Sequence, residues 1–303
     1  MVKIKLTDDF HRFYLKTIGT FFKNSRTYSY KEVAQIIKLR LGVSFKKLLI
    51  MNPTELEVIA KYIKSNPLNF PHSEEKKFID MYGKYRSNKL SKIIIRKIGL
   101  KACPYCNRNY IYNFKRYDSL EATAQLDHFF DKSKYSYLSL CLYNLVPSCS
   151  TCNRRKSASD VVANPIFNPY SDNLENHGKF TSLGILSVDD LKEKELSFYS
   201  EKRMNLKIKR ITSDSRTDKH IELFNIEALY ESHRDIVAEL YQKRVIYSED
   251  YIDDLMKNFG GKVFHDKDEL LKLVVCTSIK KDEIHNRPLS KLTRDIVEEL
   301  KFI

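Results

Sequence analysis

The sequence has no tryptophan, only eight glycines and eight prolines among 303 residues, and no long apolar run. The scarcity of glycine and proline excludes collagen-like and low-complexity structure. The best apolar run, Leu270–Cys276, is short and is interrupted by Lys272, so no membrane span is expected. The stretch from Met1 to Asp9 lacks the apolar core of a secretory signal, which makes the cytoplasm the expected location. In that reducing compartment the six cysteines are not expected to form a disulfide framework. Acid is also in short supply. There are 53 Lys and Arg against 39 Asp and Glu, a net charge of +14, more than solubility requires and suggestive of a polyanionic partner, nucleic acid before membrane.

What is present is ordinary globular material: 42% hydrophobic and 30% charged residues, in a chain long enough for two domains or for one with large flanks. The positive charge is concentrated. From Lys76 to Arg116 there are twelve basic residues and one acid, Asp80, whereas Glu227–Ile303 holds thirteen basic and sixteen acidic residues. A charge run by itself reads as a solvated helix face. This one directly precedes the cysteine motifs, which turns the reading toward nucleic acid, with Lys92, Arg96 and Lys97 as candidate contacts.

The apolar spacing predicts helices over Asp8–Asn24, from Ser29 to Leu41 with Gly42 as the stop, and from a cap at Asn52 and Pro53 to Asn66. Glu74–Ile98 reads as one or two basic amphipathic helices ending at Gly99. Tyr110–Phe114 reads as a strand, Lys115–Ser119 as a turn and Ala122–Phe129 as the return strand. A short helix is expected at Asn153–Lys156, then loop to about Lys192. Two short strands are expected at Leu196–Tyr199 and Leu206–Ile211. Helices are expected at Asp218–Phe224, Ile226–Tyr251, Asp266–Ser278 and Lys291–Leu300. The fold class is therefore α+β, mostly helical, in three regions: 1–100 helical and basic, 101–170 bearing the motifs below, and 171–303 mixed and then helical.

Four cysteines fall into two pairs, Cys103-Pro104-Tyr105-Cys106 and Cys149-Ser150-Thr151-Cys152. Two C-x-x-C turns offer four thiolates to one tetrahedral ion, the preference of structural zinc. Between them lie 42 residues, enough for a folded insert. Cys141 and Cys276 sit in apolar runs and read as packed. The insert holds Asp127-His128 and Asn144, and Asn153-Arg154-Arg155-Lys156 follows the second pair. Singly, a histidine on an apolar strand is more often core than catalyst, and an asparagine more often a turn or cap. Together they suggest chemistry. Most of the nineteen tyrosines read as packing, with base stacking an option for a few near the first pair, such as Tyr105, Tyr110, Tyr112 and Tyr117.

This ordered set, Cys-x-x-Cys, Asp-His, Asn, then Cys-x-x-Cys-Asn-x-x-Lys, resembles the HNH endonucleases, the ββα-metal nucleases with four structural cysteines. The resemblance covers Cys103 to Lys156, about a sixth of the chain, and departs from the common pattern in carrying Asn153 where His is frequent. The helical flanks resemble, more faintly, effector nucleases of bacterial anti-phage systems that work beside an ATPase. The resemblance implies a ββα-metal core with a structural Zn2+ at 101–170 and metal-dependent hydrolysis of DNA, with RNA still open. It implies that His128 is the general base with a pKa near 7, that Asp127 and Asn153 hold a Mg2+ or Mn2+ ion, and that Asn144 positions His128. Arg154, Arg155 and Lys156 would meet phosphate. Asp127 and His128, as strand neighbours, can converge only where the strand ends or bulges. One site per chain cuts one strand, so a double-strand break would call for a dimer or two events. Two alternatives stay open: a non-catalytic zinc-knuckle module that binds nucleic acid, and a nuclease subunit silent until docked on a partner such as an ATPase.

Overall fold

The structure is a computed structural model that describes residues 1, 3–117, 119–157, 159–182 and 204–302. Its class is α+β: helices predominate, and the described residues form three two-stranded antiparallel sheets. None of the described helices is long and apolar enough to cross a membrane. The chain divides into two compact units. The first is Lys3–Leu100 with Ile111–Asn173, the second Met1–Val2, Lys101–Tyr110 and Leu174–Ile303.

The first unit opens with helices whose limits are written in the sequence. Helix α1 (Asp8–Lys23) starts where the Thr7 side chain accepts from the Phe10 amide, and it buries Phe10, Tyr14, Ile18, Phe21 and Phe22 along one face. Helix α2 (Tyr30–Leu41) is capped by Ser29 and stops at Gly42, whose φ of 71° is the left-handed conformation that glycine adopts freely. The five-residue helix α3 (Phe45–Leu49), absent from the sequence expectations, is capped by Ser44. Helix α4 (Pro53–Ser65) carries a full capping box, Asn52 with Glu55, and Pro53 in its first turn.

The basic stretch forms two helices, α5 (His72–Ser87) and α6 (Lys89–Ile98). The break is Asn88, which leaves helical geometry and caps α6 by accepting from the Leu90 amide. Against these helices packs an aromatic core. Phe21 meets Tyr85 at 5.6 Å and Phe78 meets Tyr137 at 4.6 Å between centroids, and the Tyr14 hydroxyl donates to the Leu140 carbonyl at 2.7 Å.

The strands depart from the expected hairpin. Strand β1 (Asn113–Arg116) pairs with β2 (Ser119–Ala122), with Arg116 opposite Ser119. Lys115, Arg116 and Ser119 are thus strand residues, and the turn is tighter than expected, with Tyr117 at φ 53°. Ala122–Phe129 is not the return strand of this hairpin. Strand β3 (Gln125–His128) pairs instead with β4 (Leu145–Ser148), with Asp127 opposite Val146 and His128 opposite Leu145. Helix α7 (Ser150–Lys156) follows β4 directly. Period-two alternation identifies a strand without naming its partner, and here a two-residue turn and a longer connection compete for β3.

In the second unit, β5 (Gly178–Thr181), which lies where loop was expected, pairs with β6 (Lys207–Arg210). The expected strand at 196–199 lies outside the described residues. Helices α8 (Arg216–Phe224), α9 (Ile226–Tyr230), α10 (Arg234–Ile246), α11 (Glu249–Phe259), α12 (Lys267–Val274) and α13 (Ser290–Glu299) complete it. The single helix expected over Ile226–Tyr251 is broken by a 3-10 turn at Glu231–His233, and Ser248 starts a fresh helix by capping α11. Cys276 is exposed rather than packed: just past α12 its φ is 58°, which turns its side chain off the helix's apolar stripe. The segment 101–110 is pinned by Asn107, fully buried, whose side-chain nitrogen donates to the Ile284 carbonyl at 2.8 Å and whose side-chain oxygen accepts from the Lys291 amide at 3.0 Å. Lys291 and Asp295, one helical turn apart on α13, form a buried ion pair at 2.8 Å.

Candidate functional site

The four motif cysteines are buried and grouped: the Sγ atoms of Cys103, Cys106, Cys149 and Cys152 all lie within 4.8 Å of one another. A disulfide would bring two sulfurs to about 2.05 Å. Four thiolates at about 2.3 Å from one ion sit about 3.8 Å apart, which this spacing accommodates. The backbone supports the thiolates locally. The Arg108 amide donates to Cys106 Sγ and the Cys152 amide to Cys149 Sγ, both at 3.4 Å. Cys149 is at the same time the N-cap of α7, so the second cysteine pair sets where that helix begins. The donor set fits zinc.

The first unit contains a cleft of about 440 Å3 bordered by β3, α7, the end of α5 and the loop after β3. Asp127, His128, Asn153 and Arg154 line it together, joined by Tyr82, Arg86, Gln125, Asp131 and Lys132. Strand β3 ends at His128, and that is how adjacent residues with opposed directions come to border one cavity.

His128 is buried. Its Nε2 lies 3.0 Å from the Ser139 carbonyl. A carbonyl only accepts, so Nε2 carries the proton and the lone pair sits on Nδ1. The Tyr82 ring stands edge-on to the imidazole, 4.2 Å between centroids. Burial lowers the histidine to about 3, with Lys132 and Lys156 adding repulsion. The ring is therefore neutral at physiological pH, and it is a weaker base than the value near 7 expected from the sequence, because desolvation penalises the imidazolium.

Asn144 is fully buried and works entirely on the loop that follows β3. Its side-chain oxygen accepts from the Phe130 amide at 2.6 Å, and its nitrogen donates to the carbonyls of Leu138 and Phe130 at 3.0 and 3.2 Å. Its backbone carbonyl accepts from the Phe129 amide. One amide thus ties both ends of the loop that leaves His128. Asn153 donates through Nδ2 to Gln125 Oε1 at 2.5 Å, and the carbonyl end of the same amide is its remaining donor for a cation. Asp127 and Asn153 border one cavity with hard side-chain oxygens, the atom type that Mg2+ or Mn2+ would take.

Lys156 differs from expectation. The sequence groups it with Arg154 and Arg155 as a phosphate contact, yet its side chain is 0% exposed. Cys152 and Lys156, four residues apart, share the inward face of α7. The ammonium donates to the His128 carbonyl and lies 3.4 Å from Asp127 Oδ1. Arg154 and Arg155 are exposed, and Arg154 borders the cleft. Lys92, Arg96 and Lys97 do not line it. They lie on α6, where Lys92 pairs with Glu121 at 2.8 Å, Lys97 rides 4.8 Å above the Phe13 ring, and Arg96 is exposed. Arg86 and Lys132 escape a sequence reading because no motif marks them. Gln125 could have been found, since it stands two residues before Asp127 on the same strand face.

No family model matches the chain, and no solved structure matches it significantly. Among curated proteins it is similar to Septu protein PtuB of Bacillus thuringiensis, at 28% identity over 143 residues, 45% of this chain and 53% of that protein. The chain thus matches about half the length of that relative.

Proposed function

We propose that the chain is a metal-dependent endonuclease of the HNH type that hydrolyses DNA phosphodiester bonds, with a structural zinc at Cys103, Cys106, Cys149 and Cys152, and that it acts in anti-phage defence. The observation that carries this reading is the convergence of Asp127 and His128, from the end of β3, and Asn153, from α7, on one cleft. The similarity to a Septu protein supports the defence role.

In this reading His128 Nδ1 accepts the proton of the attacking water, held in place by the Ser139 carbonyl. Arg86, Lys132 and Arg154 face the phosphate as it gains charge. Asn144 acts at one remove, by fixing the loop from which His128 departs. A divalent ion on Asp127 and Asn153 would supply charge relief to the scissile phosphate and its leaving oxygen. The test is conversion of supercoiled plasmid in Mg2+ or Mn2+. Cutting that stops on chelation and in Asp127→Asn supports the reading; a purified, zinc-loaded chain that cuts equally in both refutes it.

A second reading, a nuclease subunit idle until docked on a partner such as an ATPase, is favoured by the burial of His128 and by the Lys156 ammonium beside Asp127. Cleavage that appears only when the chain is copurified from its native host separates the two.

A further inference from the structure

The β1–β2 hairpin has no role in the site just described, and its composition is unusual for a surface hairpin. Tyr112 and Phe114 are 47% and 46% exposed, and Tyr117, in the turn, is 91% exposed. A two-residue hairpin turn ordinarily places Asn or Gly where φ is positive, yet here a tyrosine holds φ 53°. Single exposed rings are common; three at one short hairpin, interleaved with Lys115 and Arg116, are not. The hairpin also continues a basic surface. Helix α6 packs on β2 and is tied to it by Lys92 and Glu121. Together α6 and the hairpin carry six basic residues against Asp118 and Glu121.

Position adds to this. Only Thr123 and Ala124 separate β2 from β3, the strand that ends in Asp127 and His128, a span of at most about 11 Å. Exposed aromatics on a positively charged surface fit unpaired bases, whose π-faces stack on the rings while phosphates meet the cations.

We propose that this hairpin is a stacking platform for single-stranded DNA, holding unpaired nucleotides next to the cleft. The proposal rests on the nuclease reading for its biological sense, but its test does not. Because the chain has no tryptophan, Tyr117→Trp installs a single fluorescent reporter. Binding of labelled dT20 and of a 20-bp duplex is followed by anisotropy without added divalent metal, so the presence or absence of cleavage does not enter. The expected results are quenching of the indole emission of the Tyr117→Trp variant by dT20 but not by duplex, and an affinity for dT20 that falls about 30-fold or more in Phe114→Ala/Tyr117→Ala while duplex binding and the thermal midpoint stay unchanged. Retention of dT20 binding in Tyr117→Phe would show that the ring matters and not the hydroxyl. No binding of dT20, equal affinity of the double-alanine variant for dT20, or equal losses for dT20 and duplex would each overturn the proposal. Plasmid cleavage with unchanged dT20 affinity would remove the hairpin role alone and leave the nuclease reading standing.

Discussion

Lys156→Met is the substitution whose effect the structure defines most sharply. The ammonium is fully buried and stands 3.4 Å from a carboxylate that is itself 4% exposed. At that separation the attraction is about 5 kcal/mol with an effective dielectric constant near 20. The desolvation of both ions offsets much of it, so the pair need not be a net stabiliser. Removing one partner is a different matter: the buried carboxylate loses this ammonium, and the His128 carbonyl loses a charged donor. Such truncations cost about 3–5 kcal/mol. For a unit of roughly 160 residues this lowers its melting temperature by about 6–20 °C. The assay is scanning calorimetry on Lys156→Met, Asp127→Asn and the double variant. The double variant is expected to be more stable than the sum of the single losses, by at least about 2 kcal/mol. A shift under about 2 °C in Lys156→Met, or strict additivity in the cycle, would refute the reasoning.

Metal analysis of the purified chain is expected to give about one zinc, lost in Cys149→Ser together with much of the thermal stability; an intact fold without metal would contradict the cysteine assignment. Asn144→Ala takes the side-chain partner from the Phe130 amide and carbonyl in a buried loop, while the Leu138 carbonyl keeps the Cys141 amide; the cost is about 3 kcal/mol, and the variant is expected to abolish cleavage without touching substrate; full activity in the folded variant would remove its positioning role. Acid is expected to begin destabilising the protein already below about pH 6.5, before the carboxylates titrate. His128 and His220 are both held by burial at about 3 in the folded state, against about 6.5 unfolded, so between pH 6.5 and 3 the unfolded chain binds more protons and stability falls as pH falls. His220→Gln should flatten the melting temperature against pH in that window, and an unchanged slope would show that His220 is not buried neutral.

The sequence is most legible where local chemistry is self-contained. Ser29, Asn52 and Gly42 mark helix ends because caps act within four residues, and the structure follows them. The cysteine grouping is legible because two equal spacings suit one ion. What stays hidden depends on contacts distant in sequence. The partner of β3 is β4 rather than β2, a choice alternation does not encode. Lys156 reads as one more base after Arg154 and Arg155, and only the buried face shared with Cys152 turns it inward. Arg86 and Lys132 reach the cleft from α5 and from the loop after β3 without a motif to announce them. Cys276 looks packed in an apolar run, until a positive φ just past the end of α12 turns it outward.

The central claim is that His128, held neutral with its lone pair on Nδ1, is the base of a metal-dependent nuclease. Plasmid cleavage in Mn2+ by the wild-type chain and by His128→Ala, both zinc-loaded and with matching melting temperatures, tests it most directly. The account predicts cutting by the wild type and a loss of at least about 100-fold in the variant. Equal cutting by the two proteins would contradict it.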